Sequence, residues 1–157
     1  MNSIDVTFVV NGQPIAIAVP PNLMLADLLR DRLGLAGCRI GCDQAVCGAC
    51  VVLMDGAPVA ACTRLAATAD GTDIVTIEGI SDGASLHPVQ LAFLRSGGLQ
   101  CGFCSAGMIL STIALLARHP APDEDTIRDW MGGHLCRCTG YRQIIDAVGL
   151  AAELLRQ

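Results

Sequence analysis

The feature that most constrains this chain is a short loop that carries three cysteines. Cys42, Cys47 and Cys50 stand at the spacing C-x4-C-x2-C, and Cys62 follows with eleven residues between it and Cys50. Small residues such as Gly48 separate these cysteines and let the backbone curl until its N–H groups face the sulfurs. Four soft thiolates in so small a volume predict a metal centre.

The spacing of this loop is that of plant-type [2Fe–2S] ferredoxins, in which three thiolates come from one loop and the fourth from a distant strand. Structural zinc is the alternative, because four thiolates are also a common zinc site. Zinc sites favour two C-x2-C pairs, however, and the step from Cys42 to Cys47 fits that pattern poorly. The loop therefore favours an iron–sulfur cluster held by Cys42, Cys47, Cys50 and Cys62.

A second group of cysteines stands in the other half of the chain. Cys101 and Cys104 form one pair, Cys136 and Cys138 form another, and 31 residues lie between the two pairs. Each pair follows a glycine-containing turn and precedes a predicted helix. Helix N-termini carry unpaired N–H groups and the positive end of a dipole, so they suit an anionic centre. We therefore expect a second cluster, buried and shielded within a bundle of helices.

The cysteine count also bears on the compartment. There are nine cysteines, an odd number, and the first residues show no charged segment followed by an apolar core. A disulfide scaffold is therefore disfavoured, and reduced, metal-ligating cysteines indicate a cytoplasmic location. The ninth cysteine, Cys38, is expected to be a buried small hydrophobe. The longest apolar run, residues 106–117, is too short to span a bilayer, so we expect no transmembrane segment.

The first half of the chain shows the two-residue period of β-strands. The predicted elements are, in order, a strand over 4–10, the turn Asn11-Gly12, a strand over 15–19, a helix over 23–33 capped by Asn22, a hairpin over 50–62 and a strand over 74–77. Cys50 and Cys62 stand at the two ends of that hairpin, so both can reach one site. These elements predict a β-grasp domain over residues 1–78.

The second half changes to the 3.6-residue period of helices, after a linker-like stretch over residues 78–86. The predicted helices run from Pro88 to Gly97-Gly98, over 105–118, from a cap at Asp123 to Gly132-Gly133, and from Gly140-Tyr141 through Leu155. They predict a four-helix bundle over residues 79–157 that binds the second [2Fe–2S] cluster. The fold class is therefore α+β.

Composition indicates a subunit of a larger assembly. The chain is 52% hydrophobic and 16% charged, with a mean hydropathy of +0.52. So apolar a chain is expected to expose patches that mark interfaces. All ten basic residues are arginines scattered along the sequence, and the net charge is −5, so nucleic acid is not an expected partner.

Three motifs together carry a resemblance that covers essentially the whole chain. They are the C-x4-C-x2-C loop with Cys62, the segment Gln100-Cys101-Gly102-Phe103-Cys104, and the segment Leu135-Cys136-Arg137-Cys138-Thr139-Gly140-Tyr141. In this combination the sequence resembles the iron–sulfur small subunit of the xanthine oxidase, or molybdenum hydroxylase, family. The departures are Ser105-Ala106, where the family often has Thr-Pro, Ala45, where it often has Gly or Ser, and Cys38, where it commonly has Thr.

The resemblance implies two [2Fe–2S] clusters and a large partner subunit that holds a molybdopterin cofactor and hydroxylates a carbon of the substrate. It also implies a medium subunit that holds FAD, or another electron acceptor. The chain would carry electrons between them and contain no catalytic residue of its own. Gln100 would hydrogen-bond to the pterin of the partner, although it could simply cap a turn. The resemblance thus implies that the cluster of Cys101, Cys104, Cys136 and Cys138 lies nearest the molybdenum.

Two functions therefore stand open from the sequence. The first is the electron-transfer subunit of a molybdenum hydroxylase, with an aldehyde or an N-heteroaromatic ring as the substrate of the large subunit. The second is a free-standing carrier of the two-cluster ferredoxin type. The apolar composition and the second set of cysteines favour the first.

Overall fold

A β-hairpin opens the fold at the place that the Asn11-Gly12 turn predicts. The computed structural model describes residues 3–81 and 83–157, so Met1, Asn2 and Asp82, which belongs to the predicted linker, lie outside it. Strands β1 (Ile4–Val10) and β2 (Gln13–Val19) pair antiparallel. Asn11 and Gly12 have φ of 50° and 76°, the positive values that a tight hairpin turn requires.

The first half of the chain forms one five-stranded mixed sheet. Its further strands are β3 (Val51–Met54), β4 (Ala57–Ala60) and β5 (Asp73–Val75), and the strand order is β2-β1-β5-β3-β4. Among the described residues, β1 and β5 form the one parallel pair. The last strand, predicted over residues 74–77, ends earlier in the structure, at Val75, because residues Ile77–Gly79 form a 3-10 helix.

The helix predicted over residues 23–33 differs from the structure in its start and its type. An α-helical turn, α1 (Leu25–Asp27), continues into the π-helical segment Leu28–Arg32, in which Leu33 N donates to Leu28 O. Its N-cap is Met24, so the prediction that Asn22 caps it is wrong. Tertiary pairing replaces the cap, because Leu25 N donates to the carbonyl of Arg64 at 2.7 Å.

The second half consists of four helices with the predicted order and closely the predicted bounds. They are α2 (Pro88–Arg95), α3 (Ser105–Arg118), α4 (Glu124–Met131) and α5 (Arg142–Leu154). The Asp123 carboxylate caps α4 as predicted, since it accepts a 2.8 Å hydrogen bond from Thr126 N. The sheet of the first half and these helices confirm the α+β class, while the boundary between residues 78 and 79 stays a prediction.

Helix α3 joins the two halves. It packs on β3, and Leu53 forms a small buried cluster there with Leu110 and Ala114. Near its N-terminal end Gly107 lies against the carbonyl oxygen of Gly48, in the cysteine loop. None of the helices within the described residues has the length and apolar character needed to cross a membrane.

The contact between Gly107 and Gly48 predicts that Gly107→Ala lowers stability. A methyl group at residue 107 would overlap the Gly48 carbonyl oxygen, a backbone atom that cannot swing away. Overpacking of this kind costs about 1–3 kcal/mol, more than the roughly 0.5–1 kcal/mol that alanine gains over glycine in a helix. Urea denaturation should therefore show a lower free energy of unfolding for Gly107→Ala than for the parent chain.

Gly149→Ala is the matched control for this measurement. Gly149 also lies inside a helix, α5, but no atom stands within 4 Å of the position of an added methyl group. The control should be stabilised by about 0.5–1 kcal/mol through helix propensity alone. Equal stabilisation by both substitutions would show that α3 and the cysteine loop do not meet as described.

Candidate metal centres

The first cysteine loop is shaped by backbone turns that aim N–H groups at sulfur. Asp43 and Ala45 adopt φ of 58° and Gly48 adopts 71°, so two non-glycine residues lie in the left-handed region. Cys42 Sγ accepts hydrogen bonds from Val46 N and Cys47 N, each at 3.3 Å.

These N–H groups make the Cys42 thiol more acidic than an ordinary cysteine thiol. Backbone N–H groups of Gln44, Cys47 and Val46 lower the pKa of the Cys42 thiol to about 7. The thiols of Cys42 and Cys47 also lie within hydrogen-bonding reach of each other. The loop therefore presents a first pair of sulfurs, half-buried and close to the surface.

The hairpin of β3 and β4 delivers the second pair. Cys50 immediately precedes β3 and Cys62 follows β4, and Ala61 N donates to Cys50 O at 3.3 Å, which extends the ladder past its last paired residues. This register sets the Cys50 and Cys62 thiols within hydrogen-bonding reach of each other, as the sequence predicts for the two ends of one hairpin. Both residues are buried, and burial raises the pKa of Cys50 to about 11.

Two loops that precede helices bring together the cysteines of the second half. Cys101 Sγ lies 3.4 Å from Cys138 Sγ, and the thiols of Cys104 and Cys136 lie close enough together for each to influence the pKa of the other. Cys104 is the N-cap residue of α3, while Cys136 and Cys138 stand before α5. Neither pair is close in sequence, so tertiary folding alone creates them.

Hydrogen bonds around residues 134–141 hold the second of these loops. The Tyr141 hydroxyl donates to His134 O at 2.9 Å and accepts from Cys136 N at 2.8 Å. Cys136 Sγ accepts from the Thr139 hydroxyl at 3.0 Å and from Thr139 N at 3.4 Å. The Tyr141 side chain thus orders the loop in addition to packing against the helices.

The second set of thiols divides into more and less acidic members. Burial opposes ionisation of Cys136, but the Thr139 hydroxyl and N–H outweigh it and lower its pKa. The backbone N–H of Phe103 lowers the pKa of Cys101. Cys104 is buried, and burial raises its pKa to about 12. Each of the two pairs therefore contains one thiol whose pKa is lowered, Cys101 or Cys136.

The four cysteines of the second set line a cavity of about 210 Å³, together with Phe103, Leu135 and Arg137. The expectation that this site is buried and shielded is wrong for the chain by itself, because Cys101 and Cys138 are exposed. The thiols come from loops at the N-terminal ends of α3 and α5 and not from residues between the helices. Phe103 and Leu135, 45% and 57% exposed, form apolar walls beside the opening.

Both sets of cysteines fit a [2Fe–2S] cluster. Such a cluster takes two thiolates on each iron, and the structure brings the eight cysteines together as the pairs Cys42/Cys47, Cys50/Cys62, Cys101/Cys138 and Cys104/Cys136. Within residues 3–81 and 83–157, no group of three or more His, Cys, Asp or Glu side chains is arranged around a single metal ion. Buried Ser105 Oγ, in the residue that follows Cys104, has no hydrogen-bond partner among the described residues.

Cys38 is buried, as expected, and Gln100 lies beside the second cavity. Cys38 is 2% exposed, its Sγ donates to Cys50 O at 3.5 Å, and burial raises its pKa to about 12. These features match a buried small hydrophobe. Gln100 is exposed and immediately precedes Cys101 at the cavity.

Sequence reasoning missed two residues at the junction of the sites. The Arg39 guanidinium donates to Gly102 O, between Cys101 and Cys104. His134 is buried, with 5% of its surface exposed, and its Nε2 lies 2.7 Å from Ser111 Oγ. In the sequence, the one signal that could have identified Arg39 is its position three residues before Cys42. The partners of Arg39 and His134, which are Gly102 and Ser111, lie far from them in sequence.

Comparisons with known proteins agree with this geometry. Residues 8–73 match the model of a 2Fe-2S iron-sulfur cluster binding domain, and residues 76–149 match that of a [2Fe-2S] binding domain. The nicotine 6-hydroxylase small subunit of Paenarthrobacter nicotinovorans is 47% identical over 92% of this chain and 87% of its own length.

Solved structures resemble the chain over nearly its whole length. A chain of quinoline 2-oxidoreductase from Pseudomonas putida 86 superposes with a TM-score of 0.95 at 46% identity, covering 99% of this chain and 98% of that one. Aldehyde oxidoreductase from Desulfovibrio desulfuricans gives 0.93 at 42% identity. There the match covers 97% of this chain but only 17% of the longer one, so the same fold is one portion of a larger polypeptide.

The burial of Cys38 predicts that Cys38→Ser keeps all bound iron. The serine hydroxyl can still donate to the Cys50 carbonyl, so the substitution should lower the free energy of unfolding by only about 1 kcal/mol. Iron analysis and the visible absorption spectrum check the first expectation, and urea denaturation checks the second. Cys50→Ser, in the same buried region, is the control that should lose iron; loss from Cys38→Ser instead would mean that Cys38 is a ligand.

Proposed function

Because the chain belongs to the family of iron–sulfur small subunits of the molybdenum hydroxylases, we propose that its four cysteine pairs hold two [2Fe–2S] clusters that link a partner's molybdenum site to an electron acceptor. The chain is the electron-transfer subunit of an oxidoreductase complex, and it carries two domains that bind [2Fe–2S] clusters. The single observation that carries the ligand assignment is the pairing of all eight cysteines across four separate segments.

The pairing supports a proposed set of ligands for each iron. Cys42 and Cys47 hold one iron of the first cluster, and Cys50 and Cys62 hold the other. In the second cluster one iron has Cys101 and Cys138, and the other has Cys104 and Cys136. When bound, the clusters accept and release one electron at a time.

The surrounding residues prepare these positions for an anionic centre. N–H groups of Val46 and Cys47 donate to Cys42 Sγ, and Thr139 donates to Cys136 Sγ, so the sulfurs are partly compensated before any metal binds. Deprotonation of buried Cys50 and Cys104 is unfavourable alone, and metal binding must offset it. Phe103 and Leu135 give the second cavity apolar walls.

The two proposed domains are specified in more detail, by fold and by residue range, than the family matches specify them. We propose a β-grasp domain over residues 1–78 and a four-helix bundle over residues 79–157. The mixed sheet with one helical segment packed on it supports the first, and helices α2 to α5 with their own buried core support the second. The two family matches end at residue 73 and begin at residue 76, close to the proposed boundary.

The exposed cavity supports an orientation of the chain in its complex. A large molybdenum subunit is the partner that the relatives support. We propose that it covers Cys101, Cys138, Phe103 and Leu135, and that exposed Gln100 hydrogen-bonds to its pterin. The site of Cys101, Cys104, Cys136 and Cys138 is then the entry for electrons, and the site of the Cys42 loop is the exit. The acceptor there would be FAD in a medium subunit or another acceptor, and the complex would be cytoplasmic.

The cluster assignment predicts about four irons and four sulfides per chain. Reduction should produce two distinct EPR signals, because the two sites differ in hydrogen bonding and exposure. Cys42→Ser should remove one signal and Cys104→Ser the other, each with the loss of about half the iron. Zinc in place of iron, or the loss of both signals in each variant, would contradict the assignment.

The proposed docking face predicts that Leu135→Glu weakens assembly. A carboxylate in the apolar wall of the cavity would have to be desolvated against the molybdenum subunit. Affinity for that subunit should fall at least tenfold in pull-down or titration, with iron content unchanged. Leu155→Glu is the matched control: Leu155 is 46% exposed but follows the C-terminal end of α5, away from the cysteines. Equal effects of both variants would place the partner elsewhere.

A further inference from the structure

Arg39 is a charged residue that touches the ligand loops of both proposed clusters. It stands three residues before Cys42, in the first half of the chain, and is partly buried. Its guanidinium donates to the Gly102 carbonyl, which lies between Cys101 and Cys104 in the second half. The same guanidinium lies 5.8 Å from the centre of the Phe103 ring, within the range of a cation–π contact.

The backbone of Arg39 is anchored to the other cluster loop. Arg39 N donates to Ala49 O at 3.3 Å, and Ala49 lies between Cys47 and Cys50. Gly41 shows how tightly the two loops approach, since a methyl group there would lie 3.0 Å from Cys47 Sγ and 3.3 Å from Phe103. One residue therefore fixes a carbonyl within each cysteine loop, through its backbone on one side and its side chain on the other.

The positive charge of Arg39 is not paired with an acidic side chain among the described residues. Across residues 3–81 and 83–157, the salt bridges join Arg128 and Arg142 to carboxylates, and none involves Arg39. The contacts of its side chain are a carbonyl oxygen and an aromatic ring, which leave its positive charge uncancelled. This cation lies against the loop that carries Cys101 and Cys104, and partial burial weakens the solvent screening of its charge there.

We propose that Arg39 is a positioning and charge-setting residue shared by both cluster sites. It holds the Cys101–Cys104 loop against the Cys42 loop, and its charge stabilises the reduced state of the cluster at the Cys101 site. Reduction adds one electron and makes a cluster more negative, so a nearby cation raises the reduction potential. The proposal rests on the proposed ligand sets, and it adds a residue that belongs to neither set.

The test is an EPR-monitored redox titration of the assembled complex with three variants. Arg39→Gln removes the charge, and Arg39→Lys retains it on a side chain without the planar fork. Arg156→Gln is the matched control, because Arg156 also donates to a carbonyl, that of Pro120 at 3.2 Å, but beyond the C-terminal end of α3. Cys42→Ser and Cys104→Ser assign the two EPR signals to their sites.

We expect Arg39→Gln to lower the electron affinity of the cluster at the Cys101 site about tenfold, a shift of about 59 mV for one electron. Arg39→Lys should restore most of that shift, and Arg156→Gln should leave both potentials unchanged. Iron loss confined to the Cys101 site in Arg39→Gln and reversed in Arg39→Lys would also support the proposal.

Three results would overturn it. They are unchanged potentials in Arg39→Gln, equal shifts in Arg39→Gln and Arg39→Lys, and equal iron loss in those two variants. The parent complex separates this failure from failure of the proposed function. Two EPR signals in the parent with no effect of Arg39 would refute the role of Arg39 alone, whereas absence of two clusters from the parent would refute the ligand sets.

Discussion

The hydrogen bond from Leu135 N to Cys47 O, 3.0 Å long, is the contact on which the arrangement of the two sites depends. It joins a cysteine of the first set to the residue that precedes Cys136 of the second. Such a bond requires the two backbones to approach closely, which explains the small residues around it. Gly48 lies against the His134 ring, and Gly107 of α3 lies against the Gly48 carbonyl, so side chains at either glycine would force the halves apart.

The same junction explains why polar side chains are buried there. His134 lies between the cysteine loop and α3, where its Nε2 pairs with Ser111 Oγ. Burial lowers the pKa of His134, so the ring is neutral at physiological pH and adds no charge between the sites. Arg39 is then the cation that reaches across the junction, from the Cys42 loop to the carbonyl of Gly102. The positive charge of Arg39 and the hydrogen bonds of this junction therefore lie next to the loops of both cysteine sets.

The two sites differ in how far their cysteines are exposed to solvent. The hairpin that carries Cys50 and Cys62 belongs to the core of the sheet, and both thiols are buried there. The cysteines of the second set come from loops at the ends of two helices, and two of the four remain exposed beside apolar walls. A cluster with such an opening needs a cover, and an apolar surface of this kind is typical of an interface. The apolar composition of the chain is therefore what is expected of a subunit that has such an interface.

The sequence by itself determined the local structure and the candidate ligands. The turn at Asn11-Gly12, the cap at Asp123 and the four helical segments depend on a few neighbouring residues, so periodicity and turn chemistry were enough to predict them. The spacing of the eight cysteines likewise identified two sets, because a metal centre demands soft ligands at short intervals. Whether all eight are ligands stays a prediction that iron analysis of the variants must test.

Only the tertiary structure decided how those local pieces meet. The pairing of Cys101 with Cys138, the burial of His134 and the reach of Arg39 to Gly102 each join residues more than twenty positions apart. The helix predicted from Asn22 became an α-helical turn continued as a π-helix, and hydrogen bonds to residues 64–66 took the place of the predicted cap. The solvent exposure of the second site could not be predicted from the sequence either. Helical periodicity shows which face of a helix is apolar, but it does not show which end of the helix remains exposed to solvent. Contacts of this kind depend on how whole elements pack, and no short stretch of sequence encodes them.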